Sequence, residues 1–154
     1  MTMARSTRVA ASMVIAAGIC GCGLFVGPEP SPSPPRFRAE IVARPNSGGI
    51  TGVSYVFATS DQSIVTIRVS NASAGDILDW RLRTGRCAEE DGVTFGTTSA
   101  YPVLVADEEG TDRTLATFEV PMSSSGLYRV EVLSRDEPPR ILACGDLVLP
   151  SAGG

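Results

Sequence analysis

Few residues in this chain have the type and spacing to do chemistry. Arg81, Arg83 and Arg86 lie close together. Arg81 and Arg83 are two positions apart, so a β-strand presents both on one face. Two neighbouring guanidiniums suit an anion. The plainer reading is surface cations paired with Glu89, Glu90, Asp91 or Glu131, each pair contributing little. The stretch Asp107-Glu108-Glu109-Gly110-Thr111-Asp112 gathers four carboxylates around a glycine. Hard cations such as Ca²⁺ favour several oxygen ligands on a tight loop, but the spacing does not match the twelve-residue calcium loop. It reads as a solvated hairpin turn, and Glu89-Glu90-Asp91 as a second turn that aids solubility. Glycoside hydrolysis needs two acids facing each other in a cleft, and the acids here lie near predicted turns.

Two absences narrow the chemistry further. The 154 residues contain no His, and all 13 basic residues are Arg, so Lys is missing too. Without His there is no Ser/His/Asp or Cys/His triad and no imidazole ligand for a metal. Without Lys there is no Schiff base and no phosphate-loop lysine. A formal net charge of −4 argues against a nucleic-acid partner, because phosphate neutralisation needs a basic surface. No cofactor is implied.

The N-terminus reads as an address. Arg5 and Arg8 precede an uncharged apolar run from Val9 to Ile19, too short for the roughly 20 residues of a membrane-spanning helix. A basic start, a short apolar run and small residues after it describe a secretory signal peptide. The run ends Ile19-Cys20-Gly21-Cys22, which resembles the bacterial lipobox with Cys22 as the lipidated residue. The resemblance implies cleavage before Cys22, a signal peptide over residues 1–21 and diacylglycerol on the Cys22 sulfur. Acyl chains at about 0.8 kcal/mol per buried methylene hold a protein on a membrane without a spanning helix. Ordinary cleavage near Gly23 or Gly27, releasing a soluble chain, is the alternative. Residues 28–35 read PEPSPSPP, with five of the eleven prolines. Such composition favours an extended, semi-rigid spacer, so residues 22–35 read as a tether. Without Arg5 and Arg8 the balance is eleven Arg against seventeen acids. The acyl chains, rather than protein charge, would then carry attachment to a membrane.

Residues 36–149 form one domain with a period of two. Phe37, Ala39 and Ile41 alternate with Arg38 and Glu40; Val53, Tyr55 and Phe57 share one face of the next run. Further runs are Ile64 to Val69, Ile77 to Leu82, Val103 with Val105, Leu115 to Val120, Leu127 to Leu133 and Ile141 to Leu149. Val, Ile, Thr, Tyr and Phe fill them, and Gly, Asn, Asp and Ser separate them. No 3.6-residue stripe appears. About eight short strands predict an all-β sandwich or Greek-key barrel, with Trp80 and Tyr55 as core aromatics and a short tail at 150–154. A carbohydrate-stacking role would require those aromatics to be exposed. Asn71-Ala72-Ser73 reads as a turn. Cys87 and Cys144 remain in the domain, and an exported chain most simply pairs them; two free thiols are the alternative.

The order of features then becomes familiar. Gly52-Val53-Ser54-Tyr55-Val56-Phe57 is followed by Trp80-Arg81-Leu82-Arg83-Thr84-Gly85-Arg86-Cys87, by Gly126 to Leu133, and by Leu142-Ala143-Cys144-Gly145. Across nearly all of residues 36–149 this resembles the copper/zinc superoxide dismutase-like fold and the related CHRD domain. The resemblance implies an eight-stranded Greek-key barrel with Cys87 bonded to Cys144. It also places the family's copper-binding His-x-His at Arg81 and Arg83, and a further copper ligand at Leu133. The zinc-binding loop with its several His is missing. A protonated guanidinium cannot ligate a cation, so dismutation of superoxide is not expected and the domain reads as a non-enzyme.

The expectation is therefore an exported, lipid-anchored bacterial envelope protein that faces outside the cytoplasm. Its β domain would be non-catalytic, with a binding or structural role. The rivals are a secreted enzyme built from carboxylates and Arg, and a module that holds a metal through oxygen ligands.

Overall fold

A computed structural model describes residues 36–150. The expected signal peptide (residues 1–21), Cys22 and the expected tether (residues 22–35) lie outside the described residues. Eight antiparallel strands form one nearly closed, barrel-shaped sheet in the order β5-β4-β7-β8-β1-β2-β3-β6. In chain order they are β1 (Arg36–Ala43), β2 (Thr51–Ala58), β3 (Ser63–Ser70), β4 (Ile77–Thr84), β5 (Leu104–Val105), β6 (Asp112–Phe118), β7 (Tyr128–Leu133) and β8 (Ile141–Leu147). The all-β expectation holds. Strand β1 joins the two halves: residues 36–41 pair with β2, and Val42 and Ala43 pair with β8.

Alternation explains the core. Phe37, Ala39 and Ile41 of β1, Val65, Ile67 and Val69 of β3, and Leu78, Trp80 and Leu82 of β4 point inward. Val130 and Val132 of β7 join them. Each Val, Leu, Ile or Phe among them contributes on the order of 1.5–3 kcal/mol when removed from water. Trp80 satisfies its indole N–H on the Pro102 carbonyl at 2.8 Å, so its burial leaves no donor stranded.

Strand β2 reverses one expectation. Ser54, Val56 and Ala58 face inward, while Tyr55 and Phe57 are 44% and 38% exposed. Tyr55 is therefore not a core aromatic. The cause is register: Phe37 lies opposite Val56 and Ala39 opposite Ser54, and opposed residues share a face. Because β2 is apolar on both faces, its period alone could not choose between them. The inward Ser54 hydroxyl donates to the Thr66 carbonyl at 3.0 Å. Strand β5 shows the same reversal, with Leu104 buried while Val103 and Val105 are exposed.

The seam between the edge strands β5 and β6 is filled by side chains of the long β4–β5 connection. Phe95 and Tyr101 pack against Phe118 of β6, with ring centroids 5.6 and 4.9 Å away. Tyr101 also meets Trp80 edge-on at 4.9 Å, and its hydroxyl accepts from Leu82 N at 3.3 Å. Gly96 has a positive φ of 71° and sits against the Phe118 ring. A Cβ there would meet both strain and collision.

Candidate functional site

The chemistry-bearing residues gather on the outer face of the β4–β7 pair. On β4 the positions alternating with Trp80 and Leu82 are Asp79, Arg81 and Arg83; on β7 they are Arg129, Glu131 and Leu133. Register places Arg81 opposite Glu131, Arg83 opposite Arg129 and Asp79 opposite Leu133. All six residues of β7 are buried, so both faces of this strand are covered. Its inner face lies on the core, and its outer face lies beneath the loop that follows β4.

That cover is built around one guanidinium. The Arg129 and Glu131 side chains are each only 1% exposed, and Arg129 Nε donates to Glu131 Oε1 at 2.7 Å. Arg129 Nη1 donates to the carbonyls of Thr84, Arg86 and Asp91 at 3.2, 2.9 and 2.9 Å. The loop at residues 84–91 thus wraps a buried cation and satisfies it with backbone oxygens. Glu131 Oε2 accepts from Arg81 Nε at 2.7 Å, and Arg83 Nη1 lies 3.9 Å from Oε1. Arg83 Nε donates to the Gly92 carbonyl at 3.1 Å. Gly92 has a φ of +143°, and a Cβ on it would strike the Thr84 carbonyl oxygen. No buried side-chain nitrogen or oxygen lacks a hydrogen-bond partner among the described residues, which is the condition for burying such charges at tolerable cost.

Electrostatics keep the carboxylate ionised. Burial by itself pushes the Glu131 carboxyl up, but hydrogen bonds from Arg129 and Arg81 outweigh it and hold the group below its ordinary value. Three guanidiniums around one carboxylate leave this face with net positive charge. Of the partners their positions offered, Arg81 and Arg83 pair with Glu131 rather than with Glu89, Glu90 or Asp91. They converge on Glu131, a mid-strand acid far from any turn, contrary to the expectation that the acids cluster at turns.

A disulfide straps the loop down. Cys87 and Cys144 are bonded, with Cα atoms 5.9 Å apart, and Cys144 lies directly opposite Glu131 in the β7–β8 register. Cys87 N also donates to Asp146 Oδ1 at 2.6 Å, and the Arg44 guanidinium donates to the Cys87 carbonyl. Leu133 is buried on the same face, one step beyond the charged group. With Asp79, Trp80, Arg81 and Tyr101 it lines a hollow of about 220 Å³.

The acidic stretch after β5 is a self-satisfied turn. Asp107 Oδ1 accepts from the backbone N–H groups of Thr111 at 2.7 Å and Glu109 at 3.1 Å, and Oδ2 from the Thr111 hydroxyl at 2.8 Å. These bonds hold the Asp107 carboxyl below its usual range. Asp112 Oδ2 accepts from Val105 N at 2.6 Å, which links β5 to β6. Asn71 adopts a positive φ of 62° in the turn after β3, as its turn reading expects. Among the described residues no group of three or more acids or cysteines is placed to hold a metal ion.

Arg129 is the residue that reasoning from sequence passed over. The available signal was Arg129-Val130-Glu131, two opposite charges two apart in an otherwise apolar strand, hence on one face. No protein-family model matches this chain, and neither a curated protein nor a solved structure is significantly similar to it.

Proposed function

We propose that this chain is an exported, lipid-anchored envelope protein. Its β domain is a superoxide dismutase-like Greek-key barrel that has lost the metal chemistry and kept a binding or structural role. The observation that carries this reading is the buried Arg129–Glu131 pair, with Arg81 and Arg83 converging on it beneath the Cys87–Cys144 bond. On the resemblance, that face is where copper would be held. The residues at the ligand positions do not fit a metal: Arg81 and Arg83 are permanently protonated, and Leu133 has no lone pair to offer. No redox step is assigned to them.

The strand order supports the Greek-key reading, since β3 neighbours β6 and β4 neighbours β7 through connections that skip two strands. A disulfide supports passage through an oxidising compartment, in keeping with the lipobox-like Ile19-Cys20-Gly21-Cys22 and the Pro-rich tether. The rival metal-binding module draws on Asp107, whose oxygens already accept three hydrogen bonds within its own turn.

Two measurements test the reading. Cys22→Ser should abolish acyl labelling and release the protein from membranes; persistent membrane association would refute the anchor. The purified protein, dialysed against copper and zinc, should retain neither near stoichiometry and should not dismutate superoxide. Stoichiometric copper with turnover would remove the non-catalytic assignment.

A further inference from the structure

The outer face of β2, β3 and β6 holds a second concentration of functional side chains, on the half of the barrel that β4 and β7 do not form. Outward positions run in rows across the strands. Val53 lies opposite Arg68, which lies opposite Arg113; Tyr55 lies opposite Thr66, which lies opposite Leu115. The turn carrying Asp107 and Thr111 borders these rows. With this turn, Val53, Tyr55, Thr66, Arg68, Asp112 and Arg113 border an open hollow of about 560 Å³, the size of a small-ligand site.

Three features of the hollow are unusual for an idle surface. Tyr55 leaves 44% of itself to solvent in the hollow, although an aromatic of that size normally gains by burial. Arg68 and Arg113 stand directly opposite each other, an arrangement that destabilises a sheet when both residues carry the same charge. Neither forms an ion pair with a carboxylate among the described residues. Two guanidiniums with no carboxylate in ion-pair contact, Arg68 acting on Asp107 only from a distance, suit, beside an exposed ring, a ligand with an anionic group and an apolar face.

The remaining lining selects the ligand class. Asp107 and Asp112 border the hollow and balance the charge of Arg68 and Arg113, so an extended anionic surface such as a membrane leaflet gains no net attraction there. Carboxylates, Thr66 and Thr111 do accept hydrogen bonds from hydroxyl groups. The concavity also suits an inserted ring better than a flat bilayer. We propose that this hollow binds an acidic saccharide. The C–H face of one sugar ring lies on Tyr55, the hydroxyls meet Thr66, Thr111 and Asp112, and the sugar's carboxylate is received by Arg68 and Arg113 in paired, charge-assisted hydrogen bonds. The site does not depend on Cys22 or on the ancestry of the β4–β7 face, so either could fail without affecting it.

The test is calorimetric titration of the full chain in detergent with a panel of acidic oligosaccharides (galacturonic, glucuronic, mannuronic and sialyl). Methyl esters of the same compounds and dihexanoyl phosphatidylglycerol complete the set. At least one acidic oligosaccharide should bind saturably, and its methyl ester about tenfold more weakly or worse. Tyr55→Ala should weaken binding about tenfold. Arg68→Gln with Arg113→Gln should erase the preference for acid over ester. All three positions are solvent-accessible, so circular dichroism should match the parent chain, and removing the opposed like charges should not lower the unfolding midpoint, which separates lost binding from lost fold. The proposal is overturned if no acidic saccharide binds, if acid and ester bind equally, if the variants bind like the parent, or if only the lipid binds.

Discussion

Arg129 and Glu131 stand two residues apart on β7, turn to the same face, and are joined at 2.7 Å while almost wholly buried. The pair makes the outer face of a strand as inaccessible as its inner face. It does so by drawing the loop that follows β4 over itself: three carbonyls converge on one Arg129 nitrogen, and the disulfide at Cys144 fixes the same loop from the other side. Charge here organises a cover over the outer face of the strand.

Removing one partner of that pair should be severe. Glu131→Gln leaves the buried Arg129 without its counter-charge, and Arg129→Ala takes one partner from Glu131 and the donor from three loop carbonyls; either should cost about 3–5 kcal/mol in urea unfolding. Arg129→Met combined with Glu131→Leu should recover a large part of the loss, because well-packed apolar residues can replace a buried ion pair. A single variant within about 0.5 kcal/mol of the parent would show that the pair is solvated.

Acid should weaken the fold through the same carboxylate. The folded-state pKa of Glu131 is held below its ordinary value of 4.5. Its stabilisation is therefore complete above that value and is lost as pH falls through the folded-state pKa. Urea midpoints of the parent should drop as pH is lowered below 4.5. The Glu131→Gln midpoint should change less over that range; parallel curves would assign the acid sensitivity elsewhere.

Alkali should act through Tyr101. Burial pushes its phenol up to about 12 from 10.0, against smaller opposing effects of the Leu82 hydrogen bond and Arg81. The unfolded chain ionises first, so stability is full below pH 10 and declines between 10 and about 12. Tyrosinate absorbance should show a step near pH 12 that Tyr101→Phe removes. A parent and variant with identical titrations would refute the assignment.

The Cys87–Cys144 bond spans 57 residues of sequence, for which loop-closure entropy gives about 4 kcal/mol. Cys87→Ala should lose roughly that amount under non-reducing conditions. A chain with Cys20 and Cys22 replaced by Ser should titrate no free thiol after denaturation without reductant. Two titrating thiols would show that the cysteines are not joined.

Much of the barrel was legible without coordinates. Alternating runs such as Phe37-Arg38-Ala39-Glu40-Ile41 declare strands because a pleat sends neighbours to opposite sides. The lack of His and Lys bounded the chemistry by composition alone. Two leftover cysteines, in a chain whose N-terminus resembles an export signal, pointed to one bond. What folding alone decided were choices between equivalent local patterns. Tyr55 points outward because β1 pairs in one register rather than the next, and Glu131 is buried because a loop from β4 and a cysteine from β8 meet above it. Those outcomes depend on residues 17 to 59 positions apart in sequence. Periodicity is a property of neighbours, whereas burial of a face depends on what the rest of the chain brings to it.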